Sequence, residues 1–197
     1  SLMQNYQRQS YVTQLHKVYN EMQQAFQQEL TESNALNLVE ARLTDADSID
    51  AFLKKHFKVV TDCEEESVPC FASEYTSLDG SKKSGIVGNK RLTFDRCVTI
   101  ASGASICLSS ILSKEEILAG GLYIDVNGPK GPNIGGRDMF AMRYYNDGSI
   151  DVYTVTPECR TDETNELAAP SYRKTEIRYS QVCVTSANGM TVLESFK

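Results

Sequence analysis

Four oxygen-bearing side chains surround one glycine- and proline-rich turn of this 197-residue chain: Asp125, Asn127, Asn133 and Asp138. Calcium takes oxygen ligands of these types from loops that glycine allows to bend sharply, so the segment is a candidate calcium site. The spacing is not that of an EF-hand, because no glutamate closes the loop at its twelfth position. The alternative is a structural loop in which Asp138 and Asn133 bond backbone amides, and we favour this alternative.

Six cysteines form a second group of side chains with their own chemistry: Cys63, Cys70, Cys97, Cys107, Cys159 and Cys183. Their number is even, no two form a CxxC pair, and the chain has only two histidines. This pattern favours disulfides over a zinc site, with free thiols in the core as the alternative. Disulfides indicate an oxidising compartment such as a periplasm or the cell exterior.

Sequence motifs of catalysis are missing from the chain. It contains no GxSxG, no GxxxxGK[ST] and no HExxH, the patterns of common hydrolases, nucleotide-binding loops and zinc proteases. We expect His16 and His56 to be solvated helix residues rather than catalytic bases, and the protein not to be an enzyme. The net charge of -6 and the pI near 5.0 argue against nucleic acid as the primary partner.

The N-terminal segment, residues 1–31, is predicted to be one long helix. Its apolar residues recur every three or four positions, and the stripe of Leu15, Tyr19, Met22 and Phe26 is predicted to pack on a sheet. No capping residue precedes the helix, and no signal peptide or run of about 18 apolar residues is present. Since disulfides require export, we expect this sequence to be a piece whose N-terminal targeting segment has been removed.

Residues 32–90 are predicted to be a helical and loop region. A weakly periodic helix is expected around Ala35 to Leu43. A better marked helix follows, with Asp47 as its N-cap and Asp50 in its first turn. Its apolar face consists of Ile49, Phe52, Leu53 and Phe57. Residues 62–90, rich in Ser, Gly, Asp and Lys, are predicted to be loop.

Residues 91–197 have the two-residue period of strands. Cys97–Ile100 and Ser105–Leu108 flank Ala101-Ser102-Gly103, and a three-residue turn with Gly103 in the left-handed conformation would set Cys97 opposite Cys107. A two-residue turn would offset them by one position. Further strands are predicted at Gly121–Val126, at Met139–Tyr145 and Ser149–Val155 around Asn146-Asp147-Gly148, and at Glu176–Val184 and Met190–Ser195. Helices followed by strands indicate a single α+β domain, 1–197, with an antiparallel sheet.

Two stretches resemble the type IV pilins and the pseudopilins of type II secretion. Leu2–Phe26, LMQNYQRQSYVTQLHKVYNEMQQAF, is similar to the part of the family's first helix that follows its transmembrane half. Ile124–Phe140, IDVNGPKGPNIGGRDMF, with the following Asn146-Asp147-Gly148 turn, resembles the family's Asp-x-Asn-Gly…Pro-Asn…Gly-x-Asp-x-Phe loop. The two stretches cover about a fifth of the chain. The family's processing site, its apolar half-helix and the glutamate near its mature N-terminus do not occur in this sequence.

The resemblance implies a pilin-like fold, in which a long N-terminal helix packs on an antiparallel sheet and a disulfide closes a C-terminal loop. In this chain the loop would be closed by Cys159 and Cys183. That leaves Cys63 with Cys70, and we predict this sequential pairing. Some pseudopilins hold calcium in a loop near this part of the fold, which adds weight to the Asp125 loop as a calcium site without changing our preference.

For function, the resemblance implies a structural subunit: a major or minor pilin, or a pseudopilin. Its partners would be other subunits and the inner-membrane assembly machinery, and its fibre would serve adhesion, motility, DNA uptake or protein secretion. The full-length protein would be anchored in the bacterial inner membrane, facing the periplasm, before joining an extracellular or periplasmic filament. The 197-residue chain would be monomeric. The alternative is a secreted disulfide-linked binding or adhesin domain, possibly calcium-dependent, outside any filament.

Overall fold

The computed structural model describes residues 2–78, 80–84, 94–114 and 117–152. Within these ranges the chain forms two helices and then nine strands, which is the predicted α+β class. The helices are α1, Leu2–Glu32, and α2, Ala46–His56. The strands are β1 Val59–Asp62, β2 Glu74–Thr76, β3 Lys82–Ser84, β4 Arg96–Ile100, β5 Ser105–Leu108, β6 Leu112–Lys114, β7 Ile117–Asp125, β8 Met139–Tyr145 and β9 Ile150–Val152.

The main sheet is antiparallel and has seven strands in the described part of the chain. Its path is β1-β4-β5-β7-β8-β9, with β6 also paired to β7. Strands β2 and β3 form a separate two-stranded antiparallel sheet. No helix in the described ranges is long and apolar enough to span a membrane.

Helix α1 packs on the main sheet through the predicted stripe. Leu15, Met22 and Phe26 are completely buried in the largest hydrophobic cluster, which also contains residues of α2 and of the sheet. Tyr19 is partly buried, and its hydroxyl donates to the carbonyl of Ile150 in β9 at 3.1 Å. The helix is therefore joined to the sheet by apolar contacts and by the hydrogen bond of Tyr19.

The aromatic ring of Phe26 in α1 contacts both α2 and the main sheet. It stacks on Phe52 of α2 with centroids 5.1 Å apart, and on Tyr144 of β8 with centroids 4.8 Å apart. Such stacked rings add specific contact energy to the burial of apolar surface. The same residue thus fixes α1 against α2 on one side and against the sheet on the other.

The N-cap of α2 differs from the prediction. Asp45, not Asp47, caps the helix: its backbone is extended, and its carboxylate accepts from the Ser48 N–H at 2.8 Å. The Ser48 hydroxyl in turn accepts from the Asp45 N–H at 3.1 Å, which completes a capping box. Asp47 lies in the first turn, where a negative charge also favours the helix dipole, and this second role explains the wrong choice.

The helix expected around Ala35 to Leu43 is also wrong, since this segment forms turns. Asn34, just before the segment, and Arg42, within it, have positive φ angles that a helix does not allow. The backbone N–H of Leu38 donates to the carbonyl of Asn146 at 2.8 Å, and that of Val39 donates to the Asn146 side chain at 3.0 Å. The β8–β9 turn thus takes amides that a helix would have used internally.

Residues 62–90 contain more than the predicted loop, because β2 and β3 fall within them and β1 ends there. Strand β1, which the sequence did not predict, pairs with β4 at the edge of the sheet. The two predicted hairpins are present: β4–β5 turns through a three-residue loop with Gly103 at φ 88°, and β8–β9 turns at Asn146-Asp147-Gly148. The strands predicted at Glu176–Val184 and Met190–Ser195 lie outside the described residues.

Candidate functional site

Two disulfides occur in the described part of the chain, and they join the predicted pairs. Cys63 bonds Cys70, and Cys97 bonds Cys107 across the β4–β5 hairpin. The N–H of Cys97 donates to the carbonyl of Glu64, and its carbonyl accepts from the N–H of Cys63. Because both backbone groups point away from β5, Cys97 and Cys107 form a non-hydrogen-bonded pair, the position where cross-strand side chains come closest. Cys159 and Cys183 lie outside the described residues.

The four candidate calcium ligands lie on the connection between β7 and β8. Asp125 ends β7 and is fully buried. One of its carboxylate oxygens, Oδ2, accepts from the hydroxyl of Tyr75 at 2.6 Å, and Oδ1 accepts from the Asn127 N–H at 3.1 Å. The Tyr75 oxygen also accepts from the Ala72 N–H at 3.1 Å. Asp125 therefore holds the β7–β8 loop and β2 together.

Asp138 closes the other end of the loop and is also fully buried. Its carboxylate accepts from the backbone N–H groups of Asn133 at 2.8 Å and of Ile134 at 2.6 Å. Asp138 thus makes the backbone-amide contacts predicted for the structural loop. The prediction is wrong for the Asn133 side chain, which donates to the carbonyl of Pro129 instead of accepting from an amide. The carboxylate substitutes for backbone partners in a segment where Asn133 adopts a positive φ of 56°.

Asn127 and Asn133 brace the loop from inside. Their amide groups donate to the carbonyls of Gly131, at 3.1 Å, and of Pro129, at 3.3 Å. The two amide oxygens are buried and accept no hydrogen bond from the described residues. These oxygens are of the type that calcium prefers.

The loop nevertheless fits calcium poorly. The carboxylates of Asp125 and Asp138 already accept three N–H groups and one O–H group from the protein, and a cation would have to displace these donors. Nowhere among the described residues do three or more His, Cys, Asp or Glu side chains gather to hold a metal. The donor set therefore supports a hydrogen-bonded loop rather than a metal centre.

Burial makes this loop electrostatically unusual. It raises the pKa of Asp125 to about 7, with the neighbouring Asp138 charge adding to the rise and the Tyr75 hydrogen bond opposing it. Burial likewise raises the pKa of Asp138 and of Tyr75. Burial, followed by the charge of Asp138, raises the pKa of Tyr11 on α1. The first helix thus lies within electrostatic reach of the loop.

His56 is not solvated, contrary to the prediction. Its side chain is 5% exposed, it lies 4.9 Å from the Phe52 ring, and its Nε2 is 2.9 Å from a carboxylate oxygen of Glu29. Burial alone would raise the pKa of Glu29, but hydrogen bonds from His56 and Lys55 hold it below its ordinary value. Sequence patterns within α2 do not predict this contact, because Glu29 belongs to α1. His16 is half-buried, and burial lowers its pKa.

A groove of about 560 Å³ opens beside the loop. Its walls come from the Cys63–Cys70 segment, from β2 and from the prolines of the β7–β8 loop. The lining residues are Val68, Pro69, Phe71, Ala72, Ser73, Glu74, Thr76, Pro129, Pro132 and Asn133. The sequence analysis missed this groove, because it connects segments more than fifty residues apart in the chain.

Comparisons with protein-family models, with curated proteins and with solved structures find no match to this chain.

Proposed function

We propose that this protein is a structural subunit of a bacterial type IV filament system, either a pilin or a pseudopilin. The observation that carries the proposal is the uneven burial of α1. From Leu15 onward the apolar side chains of this helix are buried or partly buried in the core, whereas Leu2, Met3 and Tyr6 are 91, 77 and 75% exposed. A helix that anchors a domain at one end and offers apolar side chains at the other is suited to assembly through that exposed end.

The rest of the fold is compatible with such a role. An antiparallel sheet supports α1, two disulfides stabilise its edge and its first hairpin, and the resemblance of Ile124–Phe140 to the pilin loop falls on the internally bonded β7–β8 connection. In this proposal the partners are further subunits and the inner-membrane assembly machinery. The protein would move from the inner membrane and periplasm into a filament.

The proposal is tested with the complete gene product in its own cell. We expect the protein in the sheared filament fraction or in an assembled pseudopilus. Replacing Leu2 and Tyr6 together by aspartate should remove it from that fraction, because two charges would be placed in an apolar interface. The matched control, Asn5→Asp with Gln7→Glu, adds the same charge to the same exposed turns and should still assemble. Equal melting temperatures of the purified domains would show that neither change acts through folding.

The rival proposal is a secreted, disulfide-linked binding or adhesin domain that is not part of a filament. The two disulfides fit both proposals equally. An ordinary cleaved signal peptide in the complete gene, together with recovery of the protein as a free secreted monomer, would favour this rival. A prepilin processing site followed by about 20 apolar residues would favour the filament subunit.

A further inference from the structure

The groove beside β2 contains an open strand edge. Thr76 donates its N–H to the carbonyl of Asn133 at 2.9 Å and accepts from the N–H of Gly135 at 3.0 Å, which forms a parallel bridge with Ile134. Since Thr76 directs both backbone groups away from β3, Glu74, two residues earlier on the strand, directs its own N–H and C=O to the same side. In the described part of the chain, neither group of Glu74 has a partner.

The bridge stops at Thr76 for a specific reason. A continuing parallel ladder would pair the carbonyl of Glu74 with the N–H of Asn133, but this N–H is donated to the carboxylate of Asp138. The N–H of Glu74 would donate to the carbonyl of Gly131, which already accepts from the Asn127 amide at 3.1 Å. The β7–β8 loop therefore cannot cover the edge that it borders, and the groove lies at this uncovered position.

The surroundings of the groove are acidic. Glu64, Glu65 and Glu66 lie on the Cys63–Cys70 loop, and Val68, two residues further on, belongs to the groove wall. All three glutamates are exposed. None takes part in an ion pair within the described ranges. Two cations lie at the same groove: Lys82, which pairs with the lining residue Glu74, and Lys130, between Pro129 and Pro132. The four carboxylates outnumber these two lysines, so a positively charged ligand is the net electrostatic complement of this surface.

We propose that this groove binds an extended, positively charged segment of a partner protein, which adds to β2 as a short strand. The backbone of the segment pairs with the N–H and C=O of Glu74. Its apolar side chains rest on Val68 and the prolines, and its lysines or arginines lie near the glutamates of the Cys63–Cys70 loop. Strand addition of this kind obtains affinity from main-chain hydrogen bonds and specificity from alternate side chains. The proposal does not depend on membership of a filament.

The test measures binding of a fluorescein-labelled hexapeptide of alternating lysine and valine by fluorescence anisotropy. We expect saturable binding, and no binding of the matched peptide of alternating glutamate and valine. The double substitution Glu65→Gln with Glu66→Gln should weaken binding about fivefold. The control, Glu21→Gln with Asp47→Asn, removes two negative charges elsewhere and should leave binding unchanged.

Two further measurements separate strand addition from general charge attraction. Methylating the peptide backbone nitrogens on one edge should weaken binding about tenfold or more, whereas methylation on the opposite edge should not. Val68→Lys, at a side chain that is 47% exposed, should abolish binding without changing the melting temperature. The proposal is overturned if no peptide binds, or if the affinity is the same after the glutamate substitutions, the peptide methylation and Val68→Lys. It is also overturned if the peptide binds only after residues 85–93 are replaced by a glycine-serine linker, since the chain itself would then occupy the groove.

Discussion

The buried carboxylate of Asp125 predicts that the protein loses stability as the pH rises from acidic to neutral. Burial, helped by the charge of Asp138, raises the pKa of Asp125 from 3.8 to about 7. At a pH below 3.8, the folded and unfolded chains both carry the proton. Between these two values the folded chain holds a proton that the unfolded chain has released, so this contribution to stability is lost as the pH rises through the folded pKa.

The size of the effect follows from the interval between the two pKa values. Each pH unit between 3.8 and about 7 changes the free energy of unfolding by about 1.4 kcal/mol. The whole loss therefore approaches about 4 kcal/mol, of which about 2 kcal/mol falls between pH 5 and pH 7. The carboxylates with lowered pKa, such as Asp62 and Glu29, contribute the opposite slope, but only at more acidic pH.

Two variants isolate the contribution of this side chain. Asp125→Asn removes the titration, so its free energy of unfolding should vary much less with pH than that of the wild type. Its amide cannot accept from both Tyr75 and Asn127, which should make the variant less stable at pH 5 by about 1 to 3 kcal/mol. Tyr75→Phe removes a hydrogen bond that favours the ionised form, so the loss of stability at high pH should become larger.

The assay is urea unfolding at about pH 5, 6, 7 and 8, with the disulfides intact and the denaturant slope compared among variants. Titration of groups that do not interact with Asp125, such as His16 with its lowered pKa, is common to all variants and cancels in the differences. Asp138 is coupled to Asp125, so its titration is compared between the wild type and Asp125→Asn rather than assumed equal. If Asp125→Asn shows the same pH dependence as the wild type, the buried carboxylate does not titrate in this range and the reasoning is refuted.

Three further predictions concern packing, capping and metal binding. Gly120→Ala should destabilise the protein by about 2 to 3 kcal/mol in urea unfolding, because a Cβ there would lie 2.3 Å from the Tyr144 ring. The control, Gly131→Ala, should be nearly neutral, because open space surrounds that position. Asp45→Ala should cost about 1 kcal/mol and Asp47→Ala clearly less, with the reverse order contradicting the assigned N-cap. Calcium and chelator should change the melting temperature by less than about 1 °C, and a shift of several degrees would establish an ion site after all.

The hairpins were predictable because their signals are local. A glycine at the third position of a short turn selects one loop length, and that length places Cys97 opposite Cys107. The Asn146-Asp147-Gly148 turn similarly fixes the β8–β9 register. In both cases the residues that decide the structure lie within a few positions of one another.

The errors arose where a segment finds its partner far away in the chain. The Ala35 to Leu43 segment has weak helical periodicity, but Asn146, more than a hundred residues later, accepts hydrogen bonds from two of its amides. His56 was expected in solvent because its own helix turn is polar. Its partner Glu29 lies on α1, 27 residues earlier. Periodicity within one element carries no information about contacts of this kind.

The candidate site also combines local signals, which the sequence contains, with a distant partner, which it does not indicate. The sequence identified Asp125 and Asp138 from their residue types, yet Tyr75, which decides how Asp125 is satisfied, lies 50 residues away in a segment predicted to be loop. Residue type therefore indicated which side chains could act as oxygen ligands or hydrogen-bond acceptors in the loop. It did not indicate whether their partner is a cation or a protein donor, because that depends on which strand packs beside them.

Asp138 links the two features of the molecule that the sequence did not foresee. By accepting the N–H groups of Asn133 and Ile134, it gives the β7–β8 loop internal partners in place of a cation. The same hydrogen bond to Asn133 withholds the N–H that would otherwise extend the bridge with β2 to Glu74. The interaction that makes the loop self-sufficient is therefore also the one that leaves a strand edge open. A ligand could therefore pair with that edge without breaking a hydrogen bond between described residues.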